Sequence, residues 1–150
     1  MEVRKISNKG FSTIDLLVWS FVVGIILAFI GGAYVYLKKW GAKREILNEF
    51  LLVSQGLNNY YSSAMHYPPS GWDWDANANY AYVPQNLILK GWDYICDQDN
   101  RRIAIITPPI EDSKVRSMVY DALLEGKKCN EVQAADNGGL ACVIYDKLCY

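Results

Sequence analysis

Nucleophilic catalysis needs a base beside its nucleophile, and this chain of 150 residues offers one histidine, His66. His66 stands just before Tyr67-Pro68-Pro69, at an expected helix end, with no nucleophile near it in sequence. Neither a Ser-His-Asp nor a Cys-His arrangement is expected. The four cysteines, Cys96, Cys129, Cys142 and Cys149, form no Cys-x-x-Cys pair and lie far from His66, so zinc-ligand spacing is missing. Asp73-x-Asp75-x-Asn77 imitates the start of an EF-hand loop. Ala78 replaces its required glycine, however, and Pro84 takes the place of its bidentate Glu. A solvated loop is expected there, and likewise at Asp97-Gln98-Asp99. Gly31-Gly32 lies inside an apolar run and is no phosphate cradle. The chain therefore reads as a non-enzyme with no cofactor and no metal.

The remaining candidate is Asp15. Behind it, residues 16–37 hold no charged side chain over 22 positions, enough for a helix to cross a bilayer. A carboxylate costs about 2.5–3.5 kcal/mol at the centre of such a span and less near its end, so a partner is expected. No Lys or Arg lies within the span. The partner must come from another molecule, a chain terminus or interfacial water. Two readings stay open. Asp15 sits hydrated at the headgroup level without a role. Alternatively, a cut after Gly10 leaves Phe11 with a free α-ammonium that Asp15 pairs with, in its own chain or a neighbour's. That pairing would set the register of a lateral assembly.

The elements that must position this residue follow from the pattern. Residues 1–10 carry Arg4, Lys5 and Lys9 against Glu2, a basic head that stays cytoplasmic. The apolar run is too long for a cleavable secretory signal. Tyr34, Tyr36 and Trp40 mark the far interface, and Lys38, Lys39, Lys43 and Arg44 follow. Three cations before the span and four beyond it leave the orientation open. The cysteines decide it, since disulfides belong in an oxidising compartment. A net charge of -1 gives no footprint for nucleic acid.

Beyond the span, Ile46, Phe50, Val53, Leu57, Tyr60 or Tyr61, and Ala64 recur at steps of three and four. That is one apolar stripe on an amphipathic helix. Pro68-Pro69 ends it. One helix is thus expected over about residues 12–65, roughly 80 Å long. Residues 70–94 read as loop with aromatic anchors. Strands are expected at 101–107 and 140–145, and a helix at 112–124 capped by Asp112 or Ser113. Three cysteine pairings are possible. The Asn137-Gly138-Gly139 turn favours Cys129 with Cys142, leaving Cys96 with Cys149.

Lys9-Gly10-Phe11-Ser12-Thr13-Ile14-Asp15 before a long apolar helix resembles the class III signal of type IV pilins and of the related pseudopilins of type II secretion. The resemblance implies an α+β fold, with the long N-terminal helix packed on a small antiparallel sheet and a C-terminal region stapled by cysteines. It implies a leader over residues 1–10, a membrane or filament-core helix over 11–37 and a globular head over 38–150. Gly10 then precedes the prepilin peptidase cut, Phe11 is the N-methylated start, and Asp15 is the assembly carboxylate. The expected partners are the peptidase, the assembly machinery of the inner membrane, the membrane itself before assembly, and further copies in a helical filament. No nucleic acid is bound specifically. The precursor would sit in the bacterial inner membrane and the polymer outside the cell.

Two features depart from the family. Ser12-Thr13-Ile14-Asp15 replaces the usual Thr-Leu-Ile-Glu. The kinking proline of many such helices is missing; Gly32 stands there, with Gly31 beside it and Gly24 upstream, so residues 24–32 are expected to unwind partly in a filament. A pseudopilin, a minor priming or tip pilin, and an anchored binding module that never polymerises are the alternatives. Adhesion, motility, DNA uptake and conjugation all use such fibres, and no residue here selects among them.

Overall fold

The computed structural model describes residues 13–72 and 82–149. Gly10, Phe11 and the Asp73, Asp75 and Asn77 loop lie outside the described residues. The fold is α+β. Helix α1 (Thr13–Ala64) opens it with 52 residues, and the chain divides into two compact units after Lys38. In the first unit, residues 13–38 are helical throughout, Gly24, Gly31 and Gly32 included.

The second unit adds α2 (Gln85–Lys90), β1 (Asp93–Asp97), β2 (Arg102–Ile106), α3 (Ser113–Glu125), β3 (Glu131–Ala134) and β4 (Leu140–Tyr145) to the rest of α1. The four strands form one antiparallel sheet in the order β1-β2-β4-β3. Alternation along the strands sends Tyr94, Ile103, Ile105, Val132, Leu140 and Cys142 to one face, all buried. Against them pack Phe50, Val53 and Leu57 of α1 and Val115, Val119 and Leu123 of α3. Each such side chain contributes about 1.5–3 kcal/mol by leaving water. This core explains why residues 46–64 are helical with only one apolar face.

Local chemistry sets the ends. Asp112 caps α3, accepting from the amides of Lys114 at 2.8 Å and Val115 at 3.1 Å. Met65 takes a left-handed conformation with φ of 64° and donates its amide to Tyr61 at 2.7 Å, so α1 stops before the prolines are reached. The expected strands at 101–107 and 140–145 and the expected helix at 112–124 are present as β2, β4 and α3. Three elements correct the expectation. Residues 85–90, read as loop, are α2; β1 starts inside the stretch 70–94 read as loop and runs on to Asp97; and β3 is not among the expected strands. β1 has polar ends around Tyr94-Ile95-Cys96, and β3 turns only Val132 inward. Neither carries enough alternation to register as a strand by itself; both form by pairing with β2 and β4.

The disulfides are Cys129–Cys142 and Cys96–Cys149, with Cα separations of 5.3 and 5.8 Å. The first holds the segment after α3 against β4. The second ties β1 to the C-terminal segment, where Tyr67 donates its amide to Leu148. Gly56 has a different place from the one expected. It is no incidental weak point in α1: a Cβ there would meet the Tyr82 carbonyl and come within 2.7 Å of Val83 Cγ2.

Chain-entropy arithmetic ranks the two disulfides. Closing the 53-residue separation stabilises by about 4 kcal/mol and closing the 13-residue one by about 3 kcal/mol. Paired Cys→Ser variants at Cys96 and Cys149 should lose more in denaturant titrations than the pair at Cys129 and Cys142. Gly56→Ala should cost about 1–3 kcal/mol in the same assay, against the usual helical preference for alanine.

Candidate functional site

Residues 13–38 form, among the described residues, the part of a helix long and apolar enough to cross a membrane. Every side chain in it is exposed. Leu16, Leu17, Val18 and Trp19 point in four successive directions and are all exposed, so the apolar surface wraps the whole helix. Such a surface has to be covered by lipid or by other helices.

Asp15 lies in the first turn of α1. A carboxylate there faces the positive end of the helix dipole, which favours it by about 0.3–1 kcal/mol at exposed sites. That contribution gives the acid a structural reason beside any intermolecular one.

The three glycines have open space at their Cβ positions, with no atom within 4 Å. Nothing among the described residues requires them. Ser20, Gly24, Ala28 and Gly32 follow one another at four-residue steps, one ridge of small side chains along the helix. Small residues at this spacing let two apolar helices approach closely. The ridge was readable in the sequence as spacing, but only its glycines were singled out there, and for flexibility. Gly31 lies off it.

A collar of polar contacts orients the lower part of the second unit. Lys39 pairs with Asp112 at 2.9 Å, linking α1 to the cap of α3. Glu49 accepts from Lys90 Nζ at 2.6 Å and from Trp92 Nε1 at 2.9 Å, linking α1 to α2 and to the residue just before β1. Glu45 also accepts from Lys90 at 2.6 Å. These acids hold the Lys90 ammonium above its usual range. Arg44 lies 5.7 Å from the ring centre of Trp40. Lys39, expected as part of an interfacial cationic cluster, is thus committed to the head.

The other chemically capable residues are placed structurally. His66 Nδ1 lies 3.1 Å from the Tyr67 carbonyl, and its ring meets Tyr60 edge-on at 5.9 Å. All four cysteines are in disulfides. Among the described residues, no three His, Cys, Asp or Glu side chains gather as metal ligands.

The hydrogen bond from Lys39, with the two α3 amides, holds the Asp112 carboxyl below its usual range. A lowered folded value means stability present above the unfolded value, about 3.9, and lost as pH falls through the lower folded one. Acid unfolding of Asp112→Asn should therefore be less steep below about pH 4 than that of the parent chain, as read by circular dichroism.

Comparison with protein-family models, with curated proteins and with solved structures finds no match for this chain.

Proposed function

We propose that this chain is a pilin-like subunit, made as a membrane precursor, cut between Gly10 and Phe11, and polymerised into a helical type IV filament. One coincidence carries the reading. The Gly10-Phe11 boundary stands directly before, and Asp15 in the first turn of, a helix whose apolar surface is exposed over residues 13–38. The α+β head, with its cysteines in disulfides, supports the same reading and fits passage to an oxidising compartment.

Assembly then follows from solvent exchange. In the membrane, lipid covers residues 13–38. In the polymer, neighbouring helices cover them, and the Ser20-Gly24-Ala28-Gly32 ridge sets how closely they approach. Apolar contact alone fixes no register, because sliding one helix along another trades like for like. A charge pair does fix it. The Phe11 ammonium and Asp15 are four residues apart in sequence, so each subunit carries both signs close together along its chain. Pairing Asp15 with the ammonium of a neighbour costs least where both charges are satisfied together. Asp, one methylene shorter than Glu, demands a closer approach of the two helices.

Intact mass spectrometry of the mature chain should show a start at Phe11 carrying one extra methyl; a start at Met1 sinks the proposal. Asp15→Ala should leave cleavage intact and abolish filaments in sheared fractions, whereas Asp15→Glu should preserve them. Gly24→Leu should leave the head's unfolding midpoint unchanged yet reduce filament yield at least about tenfold, the effect of about 1.4 kcal/mol lost per contact.

A further inference from the structure

Asn137, in the turn between β3 and β4, is the one asparagine in the sequence that stands before a glycine. Such a pair has a reaction of its own. The backbone nitrogen of Gly138 loses its proton to water and attacks the side-chain carbonyl carbon of Asn137. A C–N bond forms, the bond from that carbon to Nδ2 breaks, and ammonia leaves. Water then opens the cyclic imide at either carbonyl, leaving an aspartate or an isoaspartate at position 137. Glycine favours the ring because it has no Cβ to crowd it and adapts its backbone freely.

The folded chain opposes this reaction at both reacting atoms. The Gly138 amide donates to the Ala135 carbonyl at 3.0 Å, so its proton is held. The Asn137 carboxamide is fixed at both ends. Its Nδ2 donates to the Thr107 carbonyl at 3.0 Å, and its Oδ1 accepts from the Gly139 amide at 2.8 Å. Turning the carboxamide carbon onto the Gly138 nitrogen breaks those two bonds. The facing loop is locked to the same turn. The Leu140 amide donates to the Thr107 hydroxyl at 2.9 Å, and the Ile110 amide to the Gly138 carbonyl at 3.3 Å. Asn137 itself is exposed, so water reaches it once these bonds open. The product does not fit the closed turn. A carboxylate has no hydrogen to give the Thr107 carbonyl and sets acceptor against acceptor there. An isoaspartate also adds a methylene to the main chain, beside Gly139, which has no room even for a Cβ.

We propose that Asn137 is a deamidation site, kept silent by the closed β3–β4 turn, activated when the turn opens, and thereafter holding it open. Its reagent is water, and the modified residue is a one-way record of opening. The site does not depend on the chain forming filaments.

The test incubates the full chain in nonionic micelles, disulfides intact, beside the same chain reduced and unfolded in guanidinium, both in mildly alkaline buffer. Peptide mass spectrometry follows the amide-to-acid mass change at Asn137, with Asn130, which precedes Glu131, as the internal control. Conversion at Asn137 should be at least about tenfold slower in the folded chain than in the unfolded one, because only the opened fraction reacts. In the unfolded chain Asn137 should outrun Asn130. Asn137→Asp should lower the unfolding midpoint at neutral pH. That loss relative to the parent should shrink below about pH 4, where a protonated acid again donates to the Thr107 carbonyl. Equal rates in the folded and unfolded chains overturn the proposal. So does an unfolded Asn137 no faster than Asn130, or an Asn137→Asp variant as stable as the parent at neutral pH.

Discussion

Apolar surface left in water costs about 25 cal/mol per Å², and residues 13–38 leave theirs uncovered on every side. No other constraint on this molecule is as large. It separates two kinds of helix within α1. Where the chain has its own sheet to pack on, one stripe of Phe50, Val53 and Leu57 is apolar and buried. Where it has none, the apolar residues go all round. The change falls at Lys38 and Lys39, so the amphipathic pattern starts where the second unit starts.

That second unit is small, and its core alone has little to spare. Its loops are therefore fixed by specific contacts rather than by bulk burial. Thr107 shows the device: its hydroxyl accepts from the Leu140 amide at 2.9 Å, and its carbonyl accepts from Asn137 Nδ2 at 3.0 Å. A side chain at Gly139 would collide with that same carbonyl, so the β3–β4 turn can close only over glycine. The two disulfides act at the remaining loose places, behind α3 and at the C-terminal segment. Charge contributes at the collar, where Lys39 and Lys90 are each used to attach α1 to another element.

Legibility from sequence followed the length of the periodic signal. α1 was readable because its pattern persists for more than ten turns, and α3 because its cap and inner face agree. β2 and β4 stood out as runs of branched residues. β1 and β3 did not, since their hydrogen bonds come from partners distant in sequence and their composition is mixed. The same limit applied to the site residues. Asp15 could be found as an anomaly of composition, and the pairing of Cys129 with Cys142 from a turn. Gly56 was visible as a glycine, but its closeness to the Tyr82 carbonyl depends on residues 82–83 lying against α1, 26 positions further along the chain.

The glycines of α1 carry a remaining tension. Each costs the helix about 1 kcal/mol relative to alanine. Under the proposed function, close helix packing would account for Gly24 and Gly32, which share a ridge with Ser20 and Ala28. Packing does not account for Gly31 at all, because it is turned about 100° from Gly32 and off the ridge. In the proposed filament, the two demands divide between neighbours. Gly32 serves the approach of another helix, and the Gly31-Gly32 pair lowers the cost of opening backbone hydrogen bonds where a proline would have removed one outright. A glycine pair leaves the helix intact in the isolated chain, and under this proposal it would yield only when assembly supplied the energy.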